Sequence, residues 1–127
     1  MRSAAIACLL TLTAIAAEAR EYNATARAGQ PVQVLTQTSV DRMCQPTGGP
    51  SISVDPEPSH GSVTIRPASS VIETCGAGAC QCRGHRVASV AVVYTSNPAF
   101  HGVDHFGVTS TFANGTVLNH SATVNVR

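Results

Sequence analysis

Residues 94–126 read YTSNPAFHGVDHFGVTSTFANGTVLNHSATVNV, and this stretch decides the fold. Phe106, Val108 and Phe112 share one parity after Gly102 and Asp104, while Leu118, Ala122, Val124 and Val126 share one parity after Asn114-Gly115. Two half-buried strands joined at Asn114-Gly115 satisfy that pattern, with Gly102 and Asp104 turning the chain into the first of them.

Working outward, Val87 to Tyr94 is almost continuously apolar, with Val90, Val92 and Tyr94 on one face and Val87, Ala91 and Val93 on the other. A strand of that composition is expected to be central and covered on both sides. Val32 to Thr36, Ser51 to Val54 and Ser62 to Ile65 are shorter strands, and the prolines of Asp55-Pro56-Glu57-Pro58 force an extended corner between the last two. Residues 20–28 are expected to be a lead-in or a short edge strand, and residues 29–127 the domain proper. Aromatics are 4% of the 127 residues and tryptophan is absent, so the core must be built from β-branched side chains. The expected class is all-β: an immunoglobulin-like antiparallel β-sandwich of about seven strands with a cysteine-rich loop insertion at residues 73–85.

Tyr94-Thr95, Asn97-Pro98, Phe100, Gly102, Asp104 and Phe106, followed by Asn114-Gly115 and Ala122-Thr123-Val124-Asn125-Val126, form a recognisable phrase. It resembles the closing strands of the bacterial immunoglobulin-like, cadherin-like tandem repeat domains, here in a single copy. Pro58-Ser59-His60-Gly61-Ser62-Val63 is similar to another phrase of that family, and Gly29-Gln30-Pro31-Val32 sits where its first strand begins. The resemblance implies an adhesive or protein-binding module outside the cytoplasm.

The N-terminus supports export. Arg2 precedes the apolar run AAIACLLTLTAIAA, too short to span a bilayer, and Ala17-Glu18-Ala19 is a small-x-small cleavage signal. Residues 1–19 therefore read as a signal peptide for secretion or the periplasm, and no membrane span is expected once it is removed. Cys8 leaves with the leader. Cys44, Cys75, Cys80 and Cys82 remain, an even number bound for an oxidising compartment. Cys80 and Cys82 are too close for a relaxed bridge, which leaves Cys75–Cys80 with Cys44–Cys82, or Cys44–Cys80 with Cys75–Cys82. We take the first as the working set.

Net charge is +1, which supplies no field for phosphates or anionic lipids, so nucleic acid is not an expected partner. Two side-chain sets suit a metal. Cys75, Cys80, Cys82 and His85 offer thiols and an imidazole for zinc or copper(I), in competition with disulfides; His101, Asp104 and His105 offer two imidazoles and a carboxylate. For Asp104 the simpler role is to cap backbone N–H groups of a turn. Asp55 and Glu57 with Asp104 make at most a weak calcium site. No cofactor is expected.

No nucleophile elbow or facing pair of carboxylates is present, and enzyme activity is not expected. Three Asn-x-Ser/Thr sequons, at Asn23, Asn114 and Asn119, are short motifs that recur by chance in Ser- and Thr-rich chains, and the resemblance to bacterial modules implies that they carry no weight. The expected function is a non-enzymatic exported module for adhesion or protein interaction, its partner a protein or surface component. The alternatives are a periplasmic metal-binding protein using the Cys75 to His85 loop, and a small secreted inhibitor presenting a disulfide-tied loop.

Overall fold

The computed structural model describes residues 20–73 and 80–127. The proposed leader at residues 1–19 lies outside the described residues, as does Cys75. Seven strands are described: β1 (Arg20–Ala26), β2 (Pro31–Gln37), β3 (Ser51–Val54), β4 (Gly61–Val71), β5 (Arg86–Ser96), β6 (Gly102–Thr111) and β7 (Val117–Val126). A single 3-10 turn spans Cys80–Cys82. No helix among the described residues is long and apolar enough to cross a membrane.

The strands form a four-stranded sheet in the order β1-β7-β6-β3 and a three-stranded sheet in the order β2-β5-β4. This is the all-β, immunoglobulin-like sandwich that the alternating pattern calls for. Between the sheets, Leu35, Val92 and Tyr94 from one face Ala26, Phe106, Val108, Ala122, Val124 and Val126 from the other. β5 is the middle strand of its sheet, and Val87, Ala91 and Val93 are buried on one parity while Val92 and Tyr94 are buried on the other. Its continuous apolar character has that cause.

The hairpin between β6 and β7 forms as the sequence requires. Gly115 N–H donates to the Phe112 carbonyl and Phe112 N–H to the Thr116 carbonyl, both at 2.9 Å, so Ala113, Asn114 and Gly115 make a three-residue loop. Gly115 takes φ +87°, where a side chain is disfavoured, and Asn114 Oδ1 accepts from Thr116 N–H at 3.0 Å.

Three details depart from the sequence reading. Of the two expectations for residues 20–28, the edge strand is the one realised, over Arg20–Ala26, but it runs parallel to β7 rather than antiparallel, with Arg20 opposite His120 and Ala26 opposite Val126. All the other strand pairs are antiparallel. β4 continues through Pro67 to Val71, six residues beyond Ile65, because β4 is a sheet edge and a proline is tolerated where its missing N–H has no ladder partner. In β2 the register against β5 shifts between Gln33 and Leu35, a bulge that brings both Val32 and Leu35 onto the core.

Candidate functional site

The segments bearing Cys44 and Cys82 meet at one end of the sandwich. Asp41 N–H donates to the Gln45 carbonyl at 2.9 Å and Cys44 N–H to the Asp41 carbonyl at 3.1 Å, closing a tight loop over Arg42, Met43 and Cys44. The same bonding pattern shapes the Ala113–Asn114–Gly115 loop, but here the residue at positive φ (61°) is Cys44, not glycine. A side chain in that region costs about 1 kcal/mol or more. Two features hold it there: Asp41 Oδ1 accepts from Met43 N–H at 2.8 Å and from Gln45 N–H at 3.0 Å, and Cys44 is bridged to Cys82 with a Cα–Cα distance of 5.3 Å.

Cys82 is fully buried, and next to it Gln81 Nε2 donates to the Arg42 carbonyl at 3.1 Å. Ile72 N–H and Gly84 N–H exchange backbone bonds with His85 and Ile72, so the end of β4, the Cys82 turn and the Cys44 loop are one tied unit. Met43, at the tip, is 79% exposed, the most exposed large apolar side chain among the described residues.

Beside this unit lies an open cleft of about 670 Å3, between the ends of β2 and β4 and the β6–β7 loop. Its apolar lining includes Val40, Ile72, Phe112 and Leu118, its polar lining includes Thr38 and Ser39, and Glu73 is its one charged side chain among the described residues. The volume falls in the range of small-molecule pockets, about 300–1,000 Å3. Gln37, one of the lining residues on β2, accepts through Oε1 from the hydroxyl of Ser110, buried on β6, and so joins the two sheets.

The metal sets fare differently. With Cys82 bonded to Cys44, the set of Cys75, Cys80, Cys82 and His85 loses a thiolate, since a disulfide sulfur is not an ionised ligand. Cys75 and the Cys80 side chain lie outside the described residues, and the expected Cys75–Cys80 bridge with them; the described half of the working pairing, Cys44–Cys82, is present. His101, Asp104 and His105 do not converge: Asp104 points into the core and His105 outward, as neighbours on a strand must. His105 Nδ1 meets Thr123 Oγ1 at 3.0 Å and His101 is exposed. No cluster of three metal-binding side chains occurs among the described residues.

Asp104 is a buried anchor. Its Oδ1 accepts from the N–H groups of Ser59 (3.1 Å) and His105 (3.0 Å), its Oδ2 from His60 N–H (3.0 Å) and the Tyr94 hydroxyl (2.8 Å). Those donors occupy the oxygens that a calcium site with Asp55 and Glu57 would need. Burial pushes its pKa up, but the Tyr94 hydroxyl and the three N–H donors outweigh that, and the carboxyl lies below the ordinary aspartate value. The Pro58–Gly61 phrase is therefore the turn that Asp104 holds, with His60 stacked on Phe100 at 4.1 Å.

Sequence reasoning missed two sites. The cleft is built from residues of three separate segments, and no local pattern announces it. His120, only 6% exposed on β7, was legible: it shares the parity of Ala122, Val124 and Val126.

Comparison with protein-family models, characterised proteins and solved structures finds no match.

Proposed function

We propose that the chain is a non-enzymatic, exported, immunoglobulin-like binding module that engages a protein or surface component through the end bearing the Cys44–Cys82 loop. The observation that carries this reading is the pairing of an exposed Met43 on a doubly braced loop with an open, mostly apolar cleft beside it. A rigid apolar tip loses little conformational freedom when it docks, so its contact area converts efficiently to affinity. The disulfide supports residence in an oxidising compartment, in keeping with the secretory leader expected from the sequence. The likeness of the Tyr94–Val126 phrase to bacterial immunoglobulin-like repeats supports an adhesive role.

A photo-crosslinking residue at position 43, compared with one at Asn125 on the outer sheet face, tests the proposal in intact producing cells. A defined adduct formed from position 43 and lost in Leu118→Arg supports it. Equal labelling from both positions, or none from position 43, sinks it.

A further inference from the structure

His120 is the polar side chain that the loop-end reading leaves unexplained. The residue is 6% exposed, and neither ring nitrogen, both buried, has a hydrogen-bond partner among the described residues. A buried imidazole normally finds at least one partner, and going without costs about 1–3 kcal/mol. The Tyr22 ring packs against it in a T-shaped pair, with centroids 5.4 Å apart and planes at 89°.

Among the described residues no carboxylate or hydrogen-bond acceptor meets the ring to stabilise an imidazolium. From β1 the groups beside it are Tyr22 and Arg20, whose cationic side chain belongs to the residue directly opposite in the parallel ladder. β6 presents Val108 opposite the ring, and that strand's titratable side chains, Asp104 and His105, pair four and three positions further along β7, at Val124 and Thr123. β2 carries no titratable side chain. On β5, Tyr94 is committed to Asp104, and Arg86 lies at the exposed start of the strand. Burial lowers the pKa of His120, and the Arg20 charge acts in the same direction.

The elements around the ring differ in how firmly they are held. β7 lies between β1 and β6, and β6 between β7 and β3, whereas β1 is a sheet edge paired on one side only. Even β1 is unevenly fastened. Arg127 N–H donates to the Ala26 carbonyl at 2.9 Å and Ala28 N–H to the Arg127 carbonyl at 2.8 Å, locking the end far from His120. The Arg20–Tyr22 end, which covers the ring, has no such brace among the described residues.

We propose that His120 is an acid-sensitive latch: protonation of its ring releases the Arg20–Ala24 end of β1 from β7 and bares the β7 edge, while the rest of the sandwich stays closed. The released state places the cation in water instead of in a buried site beside the Arg20 charge. It also exposes N–H and C=O groups of β7 that an extended segment can pair with. The idea stands independently of the loop-end function.

Amide hydrogen exchange on the full-length folded protein, corrected for intrinsic rates, is the test. Protection at residues 21–24 is expected to fall about tenfold for each pH unit below about 6.5, until the closed form itself titrates. Residues 92–94 are expected to keep theirs, and His120→Leu to abolish the slope at 21–24. A slope that persists in His120→Leu, or none confined to β1, overturns the latch. Should that variant not fold, NMR titration of the native His120 ring decides: an apparent pKa below the ordinary value, moving with β1 protection, upholds the proposal, and an ordinary or raised one refutes it.

Discussion

The Tyr94 hydroxyl donates to Asp104 Oδ2 at 2.8 Å, joining the middle strand of one sheet to an inner strand of the other through a buried charge. Asp104→Asn keeps the shape but sets an amide N–H against donors, and is expected to cost about 3 kcal/mol in urea unfolding. Tyr94→Phe, which leaves three N–H donors in place, is expected to cost about 2 kcal/mol.

The same pair fixes an acid limb of stability. The folded-state pKa of Asp104 is depressed, so its contribution is full above the unfolded value of 3.8 and is lost as pH falls through the folded pKa. Thermal melts between pH 5 and pH 2 are expected to show a steeper decline in the native chain than in Asp104→Asn. Parallel declines would mean that the carboxylate is not favoured by the fold.

The Cys44–Cys82 bridge closes a segment of 38 residues in sequence separation. Loop entropy puts its contribution at about 4 kcal/mol, a large share of the stability of a small domain. The double variant Cys44→Ser, Cys82→Ser is expected to lower the Tm by 15 °C or more, at about 4–8 °C per kcal/mol. Exchange protection in the 38–50 loop is expected to go first.

Gly107 lies against the backbone of the Asp55–Pro56 corner: it accepts from Asp55 N–H and donates to the Pro56 carbonyl, each at 3.0 Å, and a Cβ at position 107 would overlap the Asp55 carbonyl oxygen. Gly107→Ala is therefore expected to cost about 3 kcal/mol or more, because backbone must move. Gly48→Ala, which meets no atom within 4 Å but sits at φ +95°, is expected to cost about 1 kcal/mol.

Pro67 interrupts an eleven-residue strand at the open edge of the three-stranded sheet. Its missing donor is a guard against edge-to-edge pairing. Pro67→Val is expected to leave the monomer's stability nearly unchanged and to raise its rate of self-association, read by light scattering at matched concentration.

Much of the architecture was legible because strand burial writes a two-residue period into the chain. Phe106 with Val108, and Ala122 with Val124 and Val126, gave the hairpin; the two-sided apolar run of Val87–Tyr94 gave a central strand. What stayed hidden depends on partners distant in sequence. The fourth strand was expected to end at Ile65, short of Pro67, because local propensity cannot say that a strand will be an edge. The polar run around Tyr22 left a lead-in and an edge strand both open, because only Tyr22, Ala24 and Ala26 turn inward. The cleft draws on residues 36–40, 70–73 and the β6–β7 loop, and His101, Asp104 and His105 looked like a cluster until the pleat sent 104 and 105 to opposite faces.

The parallel pairing of β1 with β7 has a mechanical consequence. Because both strands run the same way, tension applied through Arg20 and Arg127 pulls β1 toward its start and β7 toward its end. That loads seven register pairs lengthwise and together, whereas antiparallel strands pulled from one end would unzip pair by pair. The geometry makes the fold resist extension along the chain, with its mechanical clamp on the same edge strand that His120 underlies.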